Sequence, residues 1–173
     1  MLGPLVLVTV AVMAAMGILD QPIKTAPAWL GIVSFELAGD VPTAQAIVDS
    51  WDARARSVAG IGLGLDYLFM LAYSTTLALA CLWATARFGR RGSALAAIGV
   101  PLAVGQWVAA LGDGVENFAL IQILLDGARD PWPGIAWWAA VTKFVLGGLG
   151  IAYVATAALT SRDGERARAP GGG

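Results

Sequence analysis

Four long apolar runs, separated by short polar turns and one long mixed stretch, set the organisation of this chain. Leu2 to Leu19 is apolar throughout and has about the minimum length that crosses a bilayer. The competing reading is a secretory signal with Ala14-Ala15 near its cleavage site. No Lys or Arg precedes the run, however, and it is too long for the apolar region of a signal, so a retained helix is expected. Ala59 to Phe88, Ala94 to Leu125 and Ile135 to Thr160 are three further runs of spanning length. The predicted spans are residues 2–19, 59–86, 94–125 and 135–160. Pro101 predicts a bend in the third, and Trp137-Trp138 opens the fourth with an interfacial signal.

Residues 21–58 form the long mixed stretch. Ala26 to Leu37 is mostly apolar but interrupted by Ser34 and Glu36, too short to span, and reads as an interfacial or re-entrant segment. Gly39, Asp40 and Pro42 mark a break and a helix start. Ala44, Ile47, Val48, Trp51 and Ala55 then recur at helical spacing, with Gln45, Asp49 and Asp52 on the other side. Asp52 and Arg56 are spaced for an i,i+4 pair, a contact of only a few tenths of a kcal/mol. The stretch reads as a cap lying on the helices, or as an ordinary amphipathic surface helix.

Small residues predict where helices approach. Gly60 and Gly64 form a GxxxG pair, expected to serve packing within the chain, with a homodimer as its alternative use. Gly147, Gly148 and Gly150 predict a thin packing face on the fourth helix. The hydroxyls of Ser74, Thr75 and Thr76 are expected to bond to carbonyls one turn back.

Composition agrees with this pattern. The chain is 58% hydrophobic and 13% charged, with mean hydropathy +0.72, more apolar surface than a soluble domain of 173 residues could hide. The expected fold is an all-α integral membrane protein: a four-helix transmembrane bundle with a long amphipathic outer loop capping one end. Residues 1–160 form its single domain, and residues 161–173, polar and ending in glycines, a disordered tail.

Charge placement orients the bundle. Arg87, Arg90 and Arg91 fall around one short turn, and Arg162, Arg166 and Arg168 in the tail, which share a side if there are four spans. Lys24, Arg54, Arg56 and Arg129 on the other side are diluted over longer loops among Asp20, Glu36, Asp40, Asp49, Asp52, Asp126 and Asp130. The positive-inside rule therefore predicts a cell-membrane protein with both termini cytoplasmic and residues 21–58 outside.

Some chemistry is excluded at this stage. Net charge is −1, which gives nucleic acid no footing. There is no histidine, which removes His-ligated haem, His-ligated zinc and His-based catalytic triads. Cys81 is the single cysteine and sits mid-helix, so no intrachain disulfide forms and a buried thiol is expected. Asp and Glu alone could bind a hard cation, but no spacing supports one. Neither a metal nor a cofactor is expected.

The apolar runs nevertheless carry a few polar residues at depth. Asp113, Glu116 and Asn117 share a helix face, with Gln106 two turns earlier. Counting ~1.5 Å per residue, Asp66 lies ~15 Å in from Arg56, Glu116 ~15 Å from Asp126 and Lys143 ~14 Å from Gly134. Three helices thus bring charges to one level in the outer half. Ionisable groups at such depth are costly, so they face an interior or wet space and pair. Lys143 is expected to pair first with Glu116 and then with Asp113.

The candidate site comprises Asp66, Asp113 and Glu116 as proton-transfer groups and Glu36, Tyr73, Gln106, Asn117 and Lys143 as ligand-binding groups. Two carboxylates in a dry site can be driven to different roles, one acid and one base, which suits binding of, or isomerase- or cyclase-type proton transfer on, an amphipathic lipid or isoprenoid. Two other functions are compatible with the same residues: a non-enzymatic structural or partner subunit whose buried charges are glue, and a proton-linked small-solute transporter. The expected partners are membrane lipid, an amphipathic small molecule and a second copy of the chain.

Overall fold

The computed structural model describes residues 2–166. These form helices and turns, with no strand among them: α1 (Leu2–Leu19), α2 (Ile32–Glu36), α3 (Val41–Asp49), α4 (Ala53–Gly89), α5 (Gly99–Asp126) and α6 (Trp132–Arg166), plus single 3-10 segments at Gln21–Ile23 and Ala94–Ile98. Four helices are long and apolar enough to cross a membrane: Leu2–Ile23, Ala53–Gly89, Ala94–Asp126 and Trp132–Thr160.

Their packing is uneven. α5 lies along both α4 and α6, whereas α1 packs mainly against α4 and buries no residue of its own. On α5 the buried positions are Gly99, Ala103, Gln106, Ala109, Ala110, Asp113, Glu116, Asn117, Ala119, Leu120 and Ile123, a stripe at helical spacing. Leu111, Val115 and Leu125 on its other side are 74%, 53% and 74% exposed. The helix is therefore inside-out, with polar groups on the packed face and apolar ones outside, as suits a lipid surround better than water.

Several helix boundaries differ from those predicted. α4 starts at Ala53, so Arg54 and Arg56 ride on its first turn rather than in the loop. Asp52 is the N-cap of α4, its carboxylate accepting from the Ala55 N–H (2.7 Å). It does not pair with Arg56, which donates to the Trp51 carbonyl (3.1 Å) and lies 3.9 Å from Asp49. Pro101 falls in the first turn of α5, just past the 3-10 segment, where its missing N–H breaks no helical bond. It is therefore a helix-start residue, at the change from 3-10 to α geometry. α6 begins at Trp132 and continues through Arg166, so residues 161–166 belong to a helix rather than to a disordered tail. Residues 167–173 lie outside the described residues.

The long stretch folds down as a cap. Asp40 starts α3 by accepting from the Thr43 N–H (2.8 Å), with Pro42 in the first turn. All five positions of the predicted apolar face, Ala44, Ile47, Val48, Trp51 and Ala55, are buried. They share a core with Phe35 and with Ala119, Leu120 and Ile123 of α5, and Trp51 Nε1 donates to the Ile23 carbonyl (2.7 Å). Gln45 accepts from the Ala128 N–H (2.8 Å), fastening the cap to the α5–α6 turn. At the opposite end, Arg91 donates to the Thr160 carbonyl (2.9 Å), which joins the basic turn to α6.

The glycine faces are also redistributed. A Cβ at Gly60, Gly64, Gly147 or Gly148 would meet nothing, so neither the GxxxG pair nor most of the α6 glycine face packs within the chain. Gly150 alone of the α6 group is closely approached, by Gln106 of α5.

Candidate functional site

The buried stripe of α5 is what creates the site. Its i, i+3, i+4 spacing points Asp113, Glu116 and Asn117 at the neighbouring helices. Lys143, on α6 and 12% exposed, reaches across to this stripe. Its Nζ donates to Asp113 Oδ1 (2.9 Å) and to Glu116 Oε1 (2.9 Å), so neither acid is the nearer partner. From the cap, Glu36 Oε2 stands 3.6 Å from the same ammonium. On the α4 side, Asp66 Oδ2 accepts from Asn117 Nδ2 (2.7 Å). Four elements, α2, α4, α5 and α6, thus meet at one buried polar centre.

Charge does not balance there. Three buried carboxylates, Glu36, Asp113 and Glu116, surround one ammonium, and a fourth, Asp66, joins the centre through Asn117. Electroneutrality in a buried site then requires bound protons or a further cation, since unpaired charge is heavily penalised away from water. Hydrogen bonding is also incomplete. Glu36 Oε2, Glu116 Oε2 and Asn117 Oδ1 are buried acceptors with no hydrogen bond, each worth about 1–3 kcal/mol if left unmet. All three lack a donor. Outside the spanning helices, burial pushes the Glu36 carboxyl above the usual carboxylate range, with Lys143 opposing in part.

A crevice leads to this centre. It lies between the end of α1, the cap and the first turns of α4, with a volume of ≈30 Å³. Its walls are Met16, Leu19, Ile23, Ile32, Val58 and Leu63, and Glu36 and Asp66 supply acidic lining. That is room for about one or two waters. Among the described residues, no group of three or more His, Cys, Asp or Glu side chains is placed to hold a metal ion.

Not every residue of the predicted site belongs to it. Asp66, Asp113, Glu116, Asn117, Lys143 and Glu36 converge. Tyr73 lies beside Asp113, its buried hydroxyl without a hydrogen bond of good geometry. Gln106 does not join them. Its Nε2 donates to the carbonyls of Leu102 (3.1 Å) and Leu146 (3.0 Å), which makes it a tie between α5 and α6. Two turns of helix separate it from Asp113, and a shared face is not a shared place.

Sequence reasoning missed three supporting groups. Tyr67 donates to the Gly114 carbonyl (3.3 Å), linking α4 to α5 beside the acids. Thr76 meets Thr9 (3.0 Å) across to α1 instead of bonding one turn back, as Thr75 does at 2.6 Å to Leu71. Asp20 accepts from the Ile32 N–H (2.8 Å) and so holds α2, which carries Glu36. At Gly31 a φ of +63° and the approach of the Asp20 carboxylate leave no place for a Cβ, and the glycine is the one mark of this contact in the sequence. Comparisons with protein-family models, with curated proteins and with solved structures find no match to this chain.

Proposed function

We propose that the centre around Lys143 binds the polar end of an amphipathic lipid or isoprenoid in a four-helix transmembrane bundle and serves acid–base chemistry on it, of the proton-transfer type. The observation that carries this reading is the excess of buried carboxylates over cations, together with three acceptor oxygens that lack donors. Such a centre stores exchangeable protons next to an apolar crevice. Asp66, Asp113 and Glu116 are the proton-transfer groups, Lys143 and Asn117 hold them in position, and Glu36 closes the site from the cap. In this reading both termini are cytoplasmic and the cap is outside. Cysteine labelling at Ala46→Cys and Ala94→Cys in a Cys81→Ala background tests the orientation, with outside reagent expected to reach residue 46 and not residue 94.

The deciding experiment is mass spectrometry of amphiphiles that remain with the purified protein. An isoprenoid or lipid enriched with the wild type and lost from Asp66→Asn and Asp113→Asn is the expected result. Equal extracts from all three proteins would overturn the reading.

A second reading draws on the cap. Trp29 and Leu30 are 71% and 42% exposed there, which favours an apolar contact and hence a partner subunit whose buried charges act as structural glue. Proton-linked transport has less support. Among the described residues, the core toward the basic turn is built from Ala78, Cys81, Ala84, Phe88, Ala103, Tyr153 and Ala157, with no buried carboxylate to continue a relay.

A further inference from the structure

The crevice between α1 and α4 has a chemistry more specific than amphipathic. Its inner lining carries two buried carboxylates, one of which does not finish its hydrogen bonding. Glu36, 6% exposed, has Oε2 without a hydrogen bond although Lys143 stands 3.6 Å away. Asp66, also 6% exposed, uses Oδ2 for Asn117. Asp20 adds a third carboxylate to the lining, already engaged by Lys24 (3.5 Å) and by the Ile32 N–H (2.8 Å), which leaves Glu36 and Asp66 as the receiving groups. The remaining walls are apolar. No Lys or Arg side chain lines the crevice itself.

Size narrows the choice. A volume of ≈30 Å³ admits a group about the size of water. An ammonium head fits, whereas a ring system or a phosphate-bearing headgroup does not. A phosphate would also face Glu36, Asp66 and Asp20 and be repelled. The tail of such a ligand needs no cavity, because α1 buries no residue and its neighbouring surface is apolar.

We infer that this crevice takes the protonated primary amine of a single-chain lipophilic amine, with the ammonium donating to Glu36 and Asp66 and the tail leaving between α1 and α4. This rests on the proposed amphiphile site and names the head that the site selects. One bound ammonium also reduces the charge excess around Lys143.

Thermal unfolding of the purified full-length chain, with octylamine, 1-octanol, octanoate, octyltrimethylammonium or methylamine added, tests the inference. Octylamine is expected to raise the midpoint with a saturable dose dependence. Octanol lacks the charge, octanoate has the wrong sign, octyltrimethylammonium lacks N–H donors and exceeds the space, and methylamine lacks the tail. None of these four should match it. Phosphatidylethanolamine supplied in nanodiscs is the lipid-headgroup arm, and it should not weaken octylamine binding.

Glu36→Gln and Asp66→Asn should each weaken octylamine about tenfold or more, the usual scale for one charge-assisted hydrogen bond. Should either fail to fold, Gly62→Ala keeps the test open. Gly62 lines the crevice and a Cβ there meets nothing, so the added methyl takes up part of a water-sized space without displacing a neighbour. It should weaken the octylamine shift while leaving the ligand-free midpoint near that of wild type. An equal response to octanol or octanoate, competition by phosphatidylethanolamine, or an undiminished response in Gly62→Ala would overturn the amine assignment. If octylamine fails while an Asp113-dependent neutral lipid still co-purifies, the amine inference falls and the amphiphile site stands. If nothing co-purifies and octylamine fails, both fall.

Discussion

Toward the cap, α4 presents Asp66 to Asn117 of α5, and α6 sends Lys143 between Asp113 and Glu116. Toward the basic turn, the same helices meet through Ala78, Cys81 and Ala84 on α4, Ala103 on α5 and Ala157 on α6, around Phe88 and Tyr153. The cap end adds a few directional, charged contacts to its apolar core, whereas the other end relies on close approach of small side chains. The first arrangement is costly to perturb at single atoms, because a removed partner leaves a buried charge behind. The second is costly to perturb by volume, because a larger side chain at a buried small position must displace its neighbours. A buried charged centre need not stabilise a bundle more than apolar packing in the same place would.

The largest expected effect lies at the cap end. Lys143→Met removes the ammonium from Asp113, Glu116 and Glu36 together and should cost about 3–5 kcal/mol. Adding Glu116→Gln should recover part of that loss, since one stranded carboxylate is then gone. A double-mutant cycle by thermal unfolding in one detergent at one pH measures the coupling. Simple additivity would mean that the 2.9 Å contact is energetically empty and that the two ends are held alike.

Next in size is the tie between the two regions. A Cβ at Gly150 would sit 2.6 Å from Gln106 Nε2 and 3.2 Å from a Leu77 methyl. Gly150→Ala must therefore push Gln106 off the Leu146 carbonyl, with an expected loss of about 1–3 kcal/mol. Gln106→Leu in the same background should make the alanine less harmful, and an unchanged penalty would count against this contact.

Within the cap, two carboxyls should respond to pH in opposite directions. The raised Glu36 keeps its proton where the unfolded chain has released it. Its contribution to stability is complete below the ordinary carboxylate range and falls as pH rises toward the folded value. Asp40 is held below that range by the Thr43 N–H, so its contribution is complete above the ordinary value and is lost as pH falls through the lowered one. Chemical unfolding across mildly acidic pH should show Glu36→Gln removing a downward slope with rising pH and Asp40→Asn removing an upward one. The same sign for both would place Glu36 in a wet rather than a buried position.

The contrast between the two ends was only partly legible in the sequence. The four long helices follow from apolar runs of spanning length, and the apolar face of α3 from its period. Convergence of Asp66, Asp113, Glu116 and Lys143 followed from depth counting, because rise per residue is nearly constant along a helix. Position around the axis is as regular, yet Gln106 shows that sharing a stripe does not put a residue in the site two turns away. Glu36 could be marked as a polar break in an apolar stretch, but its place beneath the cap depends on Asp20 gripping Ile32 and on the turn at Gly31, a contact between residues 12 apart that no helical period encodes. The open glycine faces were misread for a related reason. A GxxxG pair states that a close approach is possible and says nothing of which surface makes it.

The smallest expected effect comes from that open face. On α6, Gly150 is pressed by Gln106 whereas Gly147, one turn earlier, has nothing within reach of an added Cβ. Inside a helix, Gly→Ala alone gains roughly 0.5–1 kcal/mol from backbone entropy. Gly147→Ala should therefore leave the protein as stable as wild type or slightly more so, against the clear loss at Gly150→Ala. The same helix, the same substitution and one turn of separation isolate packing as the variable. Unfolding followed at two protein concentrations sharpens the comparison. A gain independent of concentration means that lipid or detergent covers Gly147. A loss that deepens as the protein is diluted means that a second copy of the chain lies against it, and the glycine face of α6 is then a dimer contact.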